Sequence, residues 1–236
     1  MMKLNSAGLD VARLQLQLRS LKLYSGFIDC FFDETIKEAV KSFQTKYNLD
    51  ADGIVGPKTQ TVLNTLTSND YQVLFLHCAA SPEGREHTGA DIVAMHTLPV
   101  AKGGRGWSRP GYSDVIRLNG KIDNIWKHDS DSDIKEWEVT FGVLGSILLN
   151  RNARHVCYIG GMDKEMKKPK DTRTTAQKLS MYDYIHEQIR LNPNIVIAGH
   201  NQVQLKACPS FDVTNYLISI GVSAYNILHT SEKYRI

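Results

Sequence analysis

The stretch GHNQVQLKACPSFD, residues 199–212, sets His200, Lys206 and Cys208 at fixed offsets in a loop ahead of Pro209. Such residues serve a metal centre, a thiol nucleophile with an imidazole base, or no chemistry at all. A second imidazole favours the metal. His77 closes the apolar run VLFLH and His200 follows the run NIVIAG. Both then stand at the carboxyl ends of strands that read as central, where α/β domains place their sites. Neutral imidazole and thiolate are ligands that Zn²⁺ prefers, and three protein ligands leave the fourth tetrahedral position open, as in catalytic rather than closed structural sites. One thiolate leaves a net charge of about +1, enough to lower the pKa of a bound water toward ~7. The competing chemistry keeps Cys208 as nucleophile and His200 as base of a cysteine hydrolase. No oxyanion-loop or third-residue pattern accompanies it.

The elements that must position these residues follow from periodicity. From YQVLFLH onward the chain alternates strand-like and helix-like segments: ADIVAMH as helix, SDVIRLNGKIDNI as hairpin, HVCYIGG as strand, TTAQKLSMYDYIHEQIRLN as helix, NIVIAGH as strand, SFDVTNYLISIG as helix. Asn119-Gly120 predicts a type I′ turn in the hairpin, and Asp212 is placed to cap the last helix. This is an α/β domain with a mixed central sheet flanked by helices. Cys78, next to His77, points to the opposite face of its strand as a core thiol.

The first part of the chain reads as an all-α three-helix bundle. Val11, Leu14, Leu18 and Leu21 mark one face of a first helix, and Ile36, Ala39, Val40, Phe43 and Tyr47 one face of a second. The third runs from Thr59 to about Leu66, with Pro57 near its start, where a missing N–H costs nothing. GFIDCFFDETIKEAV and LDADGIVGPKTQTVL echo each other as a weak internal duplication. A composition shift at TLTSNDYQ marks a linker. The expected division is a helical domain at 1–66, a linker at 67–72 and an α/β domain at 73–236.

Bulk properties exclude little else. The 236 residues are 42% hydrophobic with a formal net charge of +3, too mild for a nucleic-acid-binding footprint. No apolar stretch follows a basic start in MMKLNSAGLDVARL, so no cleavable secretion signal is expected. The longest near-apolar run, Val139 to Leu149, falls short of the ~18–20 residues that span a bilayer and reads as a buried helix or strand. Cys30, Cys78, Cys157 and Cys208 show no disulfide-like pattern and are expected to be reduced.

Two resemblances sharpen this picture. The segment from LQLQLRSL to KTQTVL is similar along its length to the three-helix peptidoglycan-binding domain of cell-wall hydrolases, through its FQ, its DGIVG turn and Thr59. That implies wall binding without assigning a residue-level site. Residues Val73 to Tyr216 resemble the zinc-dependent N-acetylmuramoyl-L-alanine amidases, the family that includes amidase-type phage lysozymes and peptidoglycan recognition proteins. The motifs are FLHCAAS, GWSRPGYSDVIRLNGKI, HVCYIGGMD with Gly160 and Gly161, and GHNQVQLKACPSFD. The resemblance implies one catalytic Zn²⁺ held by His77, His200 and Cys208, with Tyr112 and Lys206 as catalytic residues. The implied reaction is hydrolysis of the amide between N-acetylmuramic acid and L-alanine of the stem peptide.

The chain departs from the family pattern in places. Ser113 and Asp114 follow the tyrosine where His-Phe is frequent, and Cys157 stands where many relatives carry a glutamate, shifting weight to Tyr112 and Lys206. Lys127 to Leu149 is longer than expected, as a cleft wall or a surface addition. His96 reads as structural, and His87, His128, His155, His186 and His229 have no ligand-like context. A wall-binding module without a secretion signal fits a phage endolysin, made in the host cytoplasm and reaching the wall after membrane breach. It would act as a monomer on peptidoglycan, with no nucleic-acid partner and no membrane insertion. A non-catalytic recognition protein and a wall-recycling amidase of the bacterium are the alternatives.

Overall fold

The computed structural model describes residues 1–129, 131–143 and 150–231. Its N-terminal part contains α1 (Leu9–Ser20), α2 (Glu34–Lys46) and α3 (Pro57–Leu66). The Asp33 carboxylate caps α2 by accepting from the Ile36 N–H at 2.9 Å, and Pro57 opens α3. Val11, Leu14, Leu18, Phe32, Ile36, Val40, Phe43 and Leu63 share one buried cluster.

The spacing predicts one buried face on α1, but the helix is buried on two. Residues two apart on a helix project about 200° apart, so the LQLQL run sends Leu14 and Leu18 one way and Leu16 the other. Leu16 and Ala12 pack against Val73, Phe75, Val196 and Ala198 of the sheet. Gln15 lies between, its amide holding Asp29 Oδ1 at 2.6 Å and Phe31 O at 3.2 Å.

That sheet is built from β1 (Val73–Cys78), β3 (Asp114–Ile116), β4 (Ile122–Asn124), β5 (Ala153–Tyr158) and β7 (Val196–Gly199), in the order β4-β3-β5-β1-β7. β1, β3, β5 and β7 run parallel and β4 antiparallel, giving a mixed sheet. Two short strands, β2 (Ser81–Pro82) and β6 (Gly161–Met162), pair beside it. The helices are α4 (Gly89–Thr97), α5 (Thr175–Leu191), α6 (His200–Val203) and α7 (Val213–Ser219). Every residue of β1 and β5 is buried, as strands covered on both faces must be. Leu74, Leu76, Val156 and Ile197 meet Met181 and Ile185 of α5 and Leu217 of α7 on one face. Ala12, Leu16, Ile28 and Cys30 help cover the other, so the N-terminal segment supplies part of the sheet's second layer.

Polar contacts reinforce this packing. The Arg19 guanidinium donates to Tyr225 O at 2.9 Å and Gly26 O at 2.5 Å. The expected linker at 67–72 is tied into the same body. Asn152 Nδ2 donates to Thr67 O at 2.9 Å and Asp70 O at 2.8 Å, and Tyr71 N–H to Ser132 O at 3.0 Å.

Two expectations change. β7 is the last strand of the sheet rather than a central one; β1 is central. The β3–β4 hairpin forms, but Gly120 has φ 85° whereas Asn119 does not have positive φ, so its turn is not type I′. A side chain at Gly120 would meet Ser180 Oγ at 2.7 Å, so the passage of α5 also requires a glycine there. The run from Val139 to Leu149 is described as far as Val143, which is fully buried; residues 144–149 lie outside the described residues.

Candidate metal centre

β1 and β7 are neighbours, with Leu76 opposite Gly199. That register sets His77, the next residue of β1, beside His200, the first residue of α6. His77 Nδ1 lies 3.2 Å from His200 Nδ1 and 3.6 Å from Cys208 Sγ. All three donor atoms lie within 4.8 Å of one another, and both histidines are buried. Tetrahedral zinc with Zn–N near 2.05 Å and Zn–S near 2.3 Å spaces two nitrogens by about 3.3 Å and nitrogen from sulfur by about 3.6 Å. Two edges of the donor triangle match these lengths. In the competing cysteine-hydrolase reading Cys208 would pair with His200; the thiol instead lies 3.6 Å from His77 Nδ1.

Electrostatics suit the same use. Burial, with neighbouring His200, His155 and Lys206, holds the His77 imidazole well below its ordinary pKa, and burial also lowers that of His200. Both rings are therefore neutral, the ligating form. The neighbouring Cys78 thiol and burial push the Cys208 thiol well above its ordinary value. A divalent cation reverses that, since a coordinating thiol is deprotonated outright. Cys78 itself lies on the opposite face of β1 and packs into the α5 side of the core, while its backbone N–H donates to Cys208 Sγ at 3.3 Å. The Asp212 carboxylate caps α7, accepting from the Asn215 N–H at 3.0 Å and anchoring the end of the loop.

Tyr112 is half-buried just before β3, its ring 5.1 Å from that of His77 and 5.2 Å from that of His96. His96 is structural support: it stacks on Trp107 at 4.8 Å, and its Nδ1 accepts the Gly111 N–H at 3.2 Å. Burial keeps the Tyr112 phenol protonated far above its ordinary range, and the Cys157, Cys208 and Cys78 thiols add to the effect. Cys157 is fully buried opposite His77 in the β1–β5 register, its thiol pushed well up by burial. Lys206 is exposed on the loop between α6 and Cys208, and its charge lowers the proton affinity of both His77 and His200. Gly160 and Gly161, with φ 133° and 100°, turn the chain after β5; a side chain on Gly161 would strike the Cys78 thiol.

Two residues near the centre were given no role from sequence. His155, on β5, places Nδ1 3.0 Å from His77 Nε2. Gln204 places Oε1 2.6 Å from His200 Nε2. The signal that could have found His155 is its position two residues before Cys157, on the same face of that strand; that the strand lies beside β1 is a finding of the structure. Ser113, one of the departures from the resembled pattern, is buried and donates its backbone N–H to His155 O at 2.8 Å. The 127–149 segment reaches this region: a side chain at Gly142 would collide with the His155 ring.

A mixed α/β sheet whose strand ends gather two imidazoles and a thiol around one point has the donor set of a metal-dependent hydrolase. Residues 7–63 match the family described as "Putative peptidoglycan binding domain". The chain is 27% identical over 144 residues to an endolysin of Enterobacteria phage K11, covering 61% of this chain and 83% of that protein. It is 44% identical over 61 residues to the N-acetylmuramoyl-L-alanine amidase CwlM of Mycobacterium tuberculosis, 26% of this chain and 15% of that one. Among solved structures, the N-acetylmuramoyl-L-alanine amidase LysC from Clostridium intestinale superposes with a TM-score of 0.46 at 18% identity, covering 65% of this chain and 87% of that one.

Proposed function

We propose that this chain is a peptidoglycan hydrolase, an N-acetylmuramoyl-L-alanine amidase of the phage-endolysin type. Residues 1–66 form a wall-binding three-helix bundle, 67–72 the connection, and 73–236 the catalytic domain with one Zn²⁺ on His77, His200 and Cys208. The observation that carries this is the convergence of those three donors beside Tyr112, in a chain similar to endolysins over 61% of its length. Its site of synthesis is the host cytoplasm, and among the described residues no helix is long and apolar enough to cross a membrane.

Zinc, when bound, supplies Lewis acidity at the scissile carbonyl and lowers the pKa of the attacking water. The chain's own residues do the rest. The Tyr112 phenol, kept protonated by burial, donates a hydrogen bond to the oxygen on which negative charge develops. Lys206 lends its positive charge to the same oxyanion and assists protonation of the departing alanine amine. Neutral His77 and His200 keep their nitrogens available as ligands at neutral pH. Because α1 packs on the sheet, the wall-binding helices hold the catalytic domain at a fixed orientation to the polymer and raise its local concentration there.

Digestion of purified peptidoglycan tests this. New N-terminal alanine without new reducing sugar is expected; reducing ends without free alanine would contradict it.

A further inference from the structure

We propose that His155 is a positioning residue for the metal centre, holding His77 in the tautomer and ring orientation that present Nδ1 to the ion. The inference rests on the metal site proposed above. A neutral imidazole that ligates through one nitrogen carries its proton on the other, and the partner of that proton fixes the ring. His77 Nδ1 faces His200 and Cys208, so its proton is on Nε2, where the acceptor is His155 Nδ1 at 3.0 Å. His155 can accept there only with its own proton on Nε2. His200 meets the same need through Gln204 Oε1, at 2.6 Å from its Nε2.

The surroundings of His155 show a residue held for this contact. The ring is fully buried, stacked on Phe75 with centroids 5.3 Å apart and planes 10° apart. Gly142 closes over it, leaving no room for a side chain. Its Nε2 is buried without a hydrogen-bond partner among the described residues. An unpaired buried donor is a cost that a position chosen only for volume would avoid by carrying phenylalanine or leucine. The polar ring is explained by its other nitrogen, which pairs with His77.

The test is the Zn²⁺ affinity of the full-length protein, measured by competition with a chromophoric chelator, for wild type, His155→Phe and His155→Asn. Phenylalanine keeps the stack on Phe75 and removes the acceptor; asparagine places an amide oxygen where Nδ1 stood. Removing an outer partner of a ligating histidine is expected to weaken zinc binding about 10–100-fold in the phenylalanine variant, with asparagine restoring most of it. Equal affinities of wild type and His155→Phe overturn the proposal. Should His155→Phe fail to fold, long-range ¹H–¹⁵N correlation spectra of the zinc-loaded wild type decide. Protons on Nε2 of both His77 and His155 support the proposal, and a proton on His155 Nδ1 overturns it. A wild-type protein that binds no zinc removes the metal site itself, a failure distinct from loss of the His155 role alone.

Discussion

His77 Nδ1 and His200 Nδ1 stand 3.2 Å apart although 123 positions separate them in the chain. Parallel pairing of β1 with β7 creates this proximity, since His77 lies near the carboxyl end of β1 and His200 directly follows β7 at the same edge of the sheet. Cys208 then arrives from the loop after α6, 3.6 Å from the same His77 nitrogen.

Replacement of His77, His200 or Cys208 by alanine is expected to abolish stoichiometric zinc binding. Atomic emission on the purified variants checks this, against about one zinc per chain in the wild type. Full zinc retention in any one variant removes that residue from the ligand set.

Tyr112→Phe keeps the ring between His77 and His96 and deletes only the hydroxyl. The expected result is a fall in kcat of about 100–1000-fold, the range for loss of one oxyanion donor, at unchanged zinc content. Lys206→Met, on an exposed loop, should likewise lower kcat without altering thermal stability. Equal wild-type rates in both would assign the charge stabilisation elsewhere.

Leu16 is 7% exposed and joins α1 to the sheet. Truncation to alanine is expected to cost about 2–4 kcal/mol, read from urea denaturation, with helical and sheet signals lost in one transition. Two separate transitions, with the sheet unaffected, would show that the helices and sheet fold independently.

Burial lowers the His96 pKa to about 4, with Arg105 adding to it, and lowers that of His155 to about 3, with His200 adding to it. In the unfolded chain both protonate near pH 6.5. Between these values the unfolded state binds more protons, so stability is fully present above about pH 6.5 and is lost as pH falls toward 4, by up to about 1.4 kcal/mol per unit for each histidine. Urea midpoints of metal-free protein at about pH 7 and about pH 5 measure it. An unchanged or higher midpoint at the lower pH contradicts the assignment.

Much of this site was legible because its residues sit at ends of apolar runs. VLFLH and NIVIAG announce strands, and a histidine closing each can be placed without knowing strand order. Strand order itself was not legible: short strands bury all their residues, so β7 carries no mark of lying last. The double burial of α1 was written in LQLQL, but periodicity read one face at a time finds only Leu14 and Leu18. His155 was passed over because its partner is a ring nitrogen of a residue 78 positions earlier. The turn at Asn119-Gly120 is not type I′ because the loop is one residue longer: Gly120 N–H donates to Arg117 O and Arg117 N–H to Lys121 O, which makes Leu118, Asn119 and Gly120 a three-residue loop with positive φ only at the glycine.

In the proposed reaction a metal held by His77, His200 and Cys208 drives cleavage of the muramoyl–alanine amide. Its most direct test is to strip the protein of metal, titrate with Zn²⁺, and follow release of alanine N-termini from purified peptidoglycan. The stripped protein is expected to be silent, with a rate that rises to a plateau at about one equivalent of zinc. A stripped protein that releases alanine at the full rate would contradict this and return Cys208 to the role of nucleophile.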